Sequence, residues 1–219
     1  MTDQPIVVFT DGAAKRNPGP GGWGVVIVTP DGHVTELGGG SPLTTNNKME
    51  LSGAIAALSH LEPITGRLAI YTDSTYVIQG VTQWVHNWRR RGWTTATGGE
   101  VLNRDLWERL TGLTAARPPR SIAWHYVRGH SGIPGNERVD AIADGFAVRG
   151  SVPLYAGPLI GYEVPILDLP DDTSVPTRSA SSTGGSRAAK GPAFSYLSVV
   201  DGLPMRHATW AECERRVKG

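Results

Sequence analysis

A chain of 219 residues with 39% hydrophobic and 19% charged side chains has the make-up of an ordinary soluble protein: one sizeable domain, with room for a small appendage. One cysteine, Cys213, excludes an internal disulfide framework and fits a reducing cytosol. No apolar run is long enough to span a membrane, and the opening MTDQPIVVFT holds Asp3 and too short an apolar stretch for a secretion signal, so a cytoplasmic protein is expected. The net charge is +1, with 14 basic and 13 acidic side chains in residues 1–149 and 7 of each thereafter, so any nucleic-acid partner must be held by local clusters.

In chain order, Ile6-Val7-Val8-Phe9-Thr10 reads as a strand buried on both faces that ends on Asp11 and runs into a glycine-rich turn. A second strand follows over Trp23 to Val28, then the turn Pro30-Asp31-Gly32 and a third strand near His33 to Leu37, a spacing that predicts an antiparallel meander. Residues 45–61 read as a helix with Leu51, Ile55 and Leu58 at helical intervals. Glu50 shares a neighbouring stripe with Ala54, Ala57 and Leu61, small residues that suit a helix lying close on a sheet. Arg67 to Tyr71 is another buried strand, leading to Asp73 and a helix over Ser74 to Gln79. QWVHNWRRRGW, residues 83–93, is expected as one helical piece; a helix follows over Val101 to Ala115 and a fifth strand over Ser121 to Val127. The loop from Arg128 to Gly135 then leads to a last helix near Asn136 to Val148, with core positions Val139, Ile142 and Phe146 and with Asp140 beside them.

Each acid has an ordinary use: Asp11 in an Asp-Gly turn, Glu50 in a capping box with Asn47, Asp73 as a helix cap, Asp140 on a solvated face. Taken together they point elsewhere, because Asp11 and Asp73 end core strands while Glu50 and Asp140 begin helices that pack on those strands. Charges about 4 Å apart repel by roughly 4 kcal/mol at an intermediate dielectric, so four gathered carboxylates call for bound cations. An all-oxygen ligand set favours Mg2+ or Mn2+ over zinc. Two such ions about 3.5–4 Å apart can activate a water and stabilise a leaving oxygen at phosphorus, which predicts phosphodiester hydrolysis.

Several ordered motifs carry a family resemblance: FTDGAAKRNPGPGGWG, TTNNKMEL, YTDSTYV, QWVHNWRRRGW, DLWERL and VRGHSGIPGNERVDAIAD. From about residue 5 to residue 149 the chain resembles bacterial type 1 ribonuclease H, which cuts the RNA strand of RNA:DNA hybrids. The resemblance implies that Asp11, Glu50, Asp73 and Asp140 bind two Mg2+ ions and that His130, in a mobile loop, relays protons or assists product release. It also implies products with a 5′-phosphate and a 3′-hydroxyl. Asn136 and Glu137 are expected to support the acids from behind, the alternative for Glu137 being a partner of its helix dipole. Asn17, Asn46 and Asn47 match family positions lining the hybrid's minor groove, where amides can read a 2′-hydroxyl, and Thr45 matches a contact to a DNA phosphate; turn and cap chemistry is their ordinary use. Trp84, Trp88 and Trp93 with Arg89, Arg90 and Arg91 resemble the family's basic protrusion, although core packing competes for the tryptophans.

The fold so implied is α/β: a ribonuclease H-like mixed five-stranded sheet, three strands antiparallel and two parallel to the first, with helices on both faces. Residues 1–149 form the catalytic domain and 150–169 a possible packed extension. By composition, 170–192 is a flexible linker. Residues 193–219 resemble the beginning of a small hybrid-binding, viroplasmin-like module through Thr209, Trp210, Glu212, Cys213, Val217 and Gly219. A monomer without membrane contact is expected. A non-catalytic hybrid-binding or scaffold protein of the same fold is the alternative, and retention of all four acids argues against it.

Overall fold

The structure, a computed structural model, describes residues 4–176, 196–200, 203–207, 214 and 215. Strand β1 (Ile6–Ala14) lies centrally in the sheet. It pairs antiparallel with β2 (Gly19–Val28) and parallel with β4 (Leu68–Thr72). β3 (His33–Thr44) lies antiparallel outside β2, and β5 (Ile122–Tyr126) parallel outside β4. Alternation along β1 explains its unbroken apolar run. Ile6 and Val8 enter a core with α1 (Asn46–His60) and α4 (Arg104–Ala115), while Val7 and Phe9 enter a second core with α5 (Pro134–Arg149). A strand with helices on both sides has no face for polar residues until it reaches an end of the sheet.

The sheet has six strands, one more than expected. A short strand β6 (Ala156–Pro158) pairs antiparallel with the outer edge of β3, giving the order β5-β4-β1-β2-β3-β6. β1 also continues past Asp11, because Gly12, Ala13 and Ala14 pair with Trp23, Gly22 and Gly21 of β2 and so extend the hairpin beyond the acid. β3 likewise runs on to Thr44. The expected helix from Val101 begins only at Arg104, since Asn103 takes a left-handed conformation that a right-handed helix cannot include. Residues 83–93 are not one helix either. A π-helical turn at Gly80–Trp84 joins α2 (Thr75–Gln79) to α3 (Val85–Arg90), and Trp84 and Trp88, four residues apart, meet in a tilted pair with ring centroids 5.6 Å apart.

After α5, residues 150–173 form a strap. Val152 packs on α5 so closely that a Cβ at Gly145 would overlap it, β6 joins the β3 edge, and the Tyr155 and Tyr162 rings meet in a tilted pair 5.0 Å apart. Ile166 is 1% exposed in the α5-side core, and the Thr173 carbonyl accepts a bond from the Tyr126 N–H on β5. The strap thus reaches both outer strands. The expected linker at 170–192 therefore starts later among the described residues: the compact unit extends to Val175, and a second unit spans 176–219. In that second unit β7 (Tyr196–Val200) pairs antiparallel with β8 (Leu203–His207). The module residues Thr209, Trp210, Cys213, Val217 and Gly219, like Glu212, lie outside the described residues.

If the strap belongs to the core, Ile166→Ala in the full chain should cost about 2–5 kcal/mol of stability, the usual range for truncating a fully buried aliphatic side chain. Chemical denaturation reads this as a lowered midpoint at unchanged slope; a midpoint within error of the parent would detach residue 166 from the core.

Candidate active site

Register brings the first two acids together. In the parallel pairing of β1 with β4, Phe9 stands opposite Tyr71, so Asp11 and Asp73 follow at the same height on neighbouring strands. Asp11 is 8% exposed, and its Oδ1 accepts the Gly12 N–H at 2.7 Å within a continuing strand rather than a turn. Asp73 is not a helix cap either: Ser74 caps α2, its hydroxyl accepting from the Val77 N–H at 3.1 Å. The same hydroxyl donates to Glu50 Oε2 at 2.6 Å and so aims the third acid. Thr45, not Asn47, caps α1, so Glu50 is free of the capping box and faces inward. α1 can approach because Gly12 has no side chain; a Cβ there would overlap the Met49 and Glu50 backbone.

The fourth acid comes from the opposite helix layer. Asp140, its side chain 33% exposed, lies 3.8 Å through Oδ2 from His130 Nδ1. His130 is 85% exposed and holds a left-handed conformation (φ 51°) in the loop before α5. Gly129 in that loop borders Asp73: a Cβ would stand 2.6 Å from its Oδ2, so a side chain there would crowd the carboxylate.

Electrostatics tie the four acids into one site. Burial first, then the Asp73 charge, push the Asp11 carboxyl up to about 7, against the Gly12 hydrogen bond, with Asp140 and Glu50 adding to the rise. Burial chiefly raises Glu50 as well, opposed by its bond from Ser74 and aided by Asp73. Asp73 is raised by burial and then by Asp140, and is eased by His130 and by a hydrogen bond from Asp11. As the side chains stand, no three of His, Cys, Asp and Glu among the described residues are drawn tightly enough together to ligate one ion. Asp11, Glu50 and Asp73 are nonetheless near enough to charged neighbours for their proton affinity to rise, and the donors of all four acids are hard oxygens. Such a set fits a divalent cation, whose charge would offset theirs.

A family model described as RNase H matches residues 3–147. The chain belongs to the RNase H family. It is an endoribonuclease by that membership, and the family is metal-dependent. Among its relatives is the ribonuclease H of Thermosynechococcus vestitus, 54% identical over 138 residues that cover 62% of this chain and 84% of that one. The ribonuclease H of Bradyrhizobium sp. is 51% identical over 150 residues, covering 68% and 94%. Among solved structures, the fold resembles LC9-RNase H1, described as a type 1 RNase H with the type 2 active-site motif. That likeness has a TM-score of 0.61 and 28% identity, over 72% of this chain and 79% of that one.

In this RNase H the other expected site residues fall into three groups. Asn17, Asn46 and Asn47 are exposed beside the start of α1; Asn46 Oδ1 accepts the Ala14 N–H at 2.6 Å, and Asn17 Oδ1 accepts the Asn46 N–H at 3.4 Å. Asn136 is buried with no partner on its Oδ1, while Glu137 is exposed in the first turn of α5. The third group makes no contact with the acids. Trp84, Trp88 and Trp93 are half-buried, the first two packing tilted and edge-on around Tyr76 and the fully buried Trp107 and the third lying under the Arg104 guanidinium. Packing therefore claims much of all three, and Arg89, Arg90 and Arg91 are left exposed beside them. Sequence reading missed Ser74, Gly129 and the pair of Glu36 with Arg138. The Asp-Ser step after a buried strand was the available signal for Ser74; nothing local marks Glu36.

Because the raised Asp11 carboxyl binds its proton more tightly in the folded chain than in the unfolded one, metal-free stability should fall as pH rises from about 4 to about 7. In chelator, Asp11→Asn should therefore melt at a higher temperature than the parent at pH 8 and show a shallower decline across that window. Equal melting temperatures at pH 8 would mean that Asp11 carries no such burden.

Proposed function

We propose that Asp11, Glu50, Asp73 and Asp140 hold divalent cations, Mg2+ or in its place Mn2+, with which this RNase H hydrolyses the RNA strand of RNA:DNA hybrids internally. The observation that carries this reading is the convergence of four acids from β1, α1, the end of β4 and α5 on one end of the sheet, three of them with raised proton affinity. When bound, the cations supply charge neutralisation at the phosphate and a lowered proton affinity of the attacking water. The chain's own part is positioning. Asp11 and Asp73 form a floor set by strand pairing, Ser74 aims Glu50, and α5 brings Asp140. His130, exposed and next to Asp140, carries a proton between the site and solvent.

Substrate is held on either side. Asn17, Asn46 and Asn47, with Thr45 at the α1 N-terminus, present amides and a hydroxyl that suit the 2′-hydroxyls and a phosphate of the hybrid's minor groove. Arg89, Arg90 and Arg91 meet phosphates of the DNA strand, and the outer faces of Trp84, Trp88 and Trp93 meet its sugars. Asn136 and Glu137 support the acids from the start of α5. The protein acts as a cytoplasmic monomer: one cysteine suits a reducing compartment, and β6 pairs with the first residues of the β3 edge while the strap bonds to the end of β5. Among the described residues no helix is long and apolar enough to cross a membrane.

With labelled RNA:DNA hybrid, RNA duplex and DNA duplex, only the RNA of the hybrid should be cut, and chelator should abolish the reaction. Asp73→Asn should lower kcat by at least about 100-fold, the usual loss for one electrostatic group of a reaction centre. Hybrid binding without cleavage by either protein would replace the enzyme by a scaffold. Replacing Arg89, Arg90 and Arg91 together by Ala should weaken hybrid binding and lower the slope of log affinity against log salt by about 3, one for each phosphate contact. An unchanged slope would remove these arginines from the interface.

A further inference from the structure

Glu36 accepts four hydrogen bonds on its carboxylate, outside the acid site. It lies on β3 with its side chain fully buried, and α5 and the strap both end on it. Arg138 donates from Nε to Oε1 and from Nη2 to Oε2, each at 2.6 Å, a two-pronged bond that fixes the guanidinium plane as well as its distance. The Tyr155 N–H donates to Oε2 at 2.9 Å, and the Tyr162 hydroxyl donates to Oε1. The strap is tied down on either side of these bonds. The Glu36 N–H donates to the Tyr155 carbonyl at 2.8 Å, Arg138 Nη2 reaches the Pro153 carbonyl at 3.4 Å, and the Leu159 N–H bonds to the Gly32 carbonyl at 2.8 Å. These bonds hold the Glu36 carboxyl below its usual range, although burial alone would raise it. The Tyr162 hydroxyl is pushed up by burial and then by Glu36, so it stays protonated and donates.

We infer that the strap, through Tyr155, Tyr162 and Glu36, is a positioning element that sets the rotation of α5 and thereby the aim of Asp140; the inference rests on the reading of Asp140 as a metal-holding acid. Arg138 precedes Asp140 by two residues on the same helix. Apolar packing and the close seat of the α5 backbone on Gly22 and Gly24 of β2, where a Cβ would overlap the Ala143 and Val139 carbonyls, set how closely α5 approaches the sheet. The Arg138 fork is directional. At a side-chain radius of about 5–6 Å, a helix rotation of 20° would sweep a carboxylate by about 2 Å, several times the roughly 0.5 Å tolerance of a working site. Tyr155 and Tyr162 occupy the remaining acceptor positions of Glu36, leaving its carboxylate one orientation in which all four bonds are made. Strap and sheet edge together therefore hold the fork.

The test uses the full chain with Tyr162→Phe, which keeps the ring and removes one bond, and with Arg138→Lys, which keeps the charge and loses the fork. Mg2+ binding is followed without substrate by calorimetry and by the Mg2+-induced rise in melting temperature, and cleavage is followed at varied hybrid and Mg2+. Both variants should bind Mg2+ about tenfold more weakly, as expected when a group behind a metal ligand is removed, with KM for the hybrid within about twofold of the parent. Saturating Mg2+ should restore kcat toward the parent value. A lowered melting temperature with a Mg2+ titration superimposable on the parent's would overturn the inference and leave the strap a purely structural brace. Asp140→Asn separates the two readings. If it binds Mg2+ and cleaves like the parent, the assignment of Asp140 falls and the inference with it. If it is impaired while Tyr162→Phe and Arg138→Lys titrate normally, only the inference falls.

Discussion

Two carboxylates forced side by side at the end of a fully buried pair of parallel strands are the constraint on which the rest of this molecule depends. The β1–β4 register leaves Asp11 and Asp73 no way to separate, because shifting either strand by one residue would turn its apolar residues onto the wrong core. Burial then makes the charged forms costly, and the Asp73 charge raises the proton affinity of Asp11 further, while Asp140 adds to the rise at Asp73. A structure built only for stability would place an amide or an apolar residue at one of these positions. Keeping both, with Glu50 and Asp140 added, makes sense for a site whose charge is balanced by cations during work.

Helices on opposite faces then have to reach that one point. On the α1 side the missing side chain of Gly12 allows contact between helix and strand backbones, and Ser74 turns Glu50 toward the site while capping α2. One hydroxyl thus connects a helix start to the orientation of an acid contributed by a different helix. On the α5 side Gly22 and Gly24 of β2 likewise let the helix backbone close on the strand, and the bonds that Glu36 collects from Arg138, Tyr155 and Tyr162 add direction. Both helices are thus keyed by backbone contact near their acids, and α5 has a polar pin on the neighbouring strand besides.

The aromatic segment after α2 is claimed largely by packing. Trp84 and Trp88 surround Tyr76 and Trp107 beyond the π-helical turn, and this aromatic base carries three exposed arginines, Arg89, Arg90 and Arg91. Trp93, held in a left-handed conformation beneath Arg104, closes this base.

Much of this was legible from sequence alone. Period-two and period-3.6 patterns located five of the six sheet strands and most of the helices, because each such element buries a face whose spacing is written locally. The placement of the four acids was legible for the same reason: each stands at or beside the end of a strongly patterned element. Local patterns failed where a partner distant in the chain decides the outcome. β6 is three residues, Ala156–Pro158, and is a strand only because β3 offers an open edge; Val101 was read into a helix that Asn103 interrupts. Glu36 looked like any strand glutamate. Its burial under bonds from residues more than 100 positions away is a property of the closed sheet. Sequence by itself determined which residues seek the core and which carboxylates stand at the ends of buried elements, since both follow from side-chain type and spacing. Only the tertiary structure decided which carboxylates share a site and which is locked in a bonded pin, because proximity, desolvation and shared hydrogen bonds arise when distant segments meet.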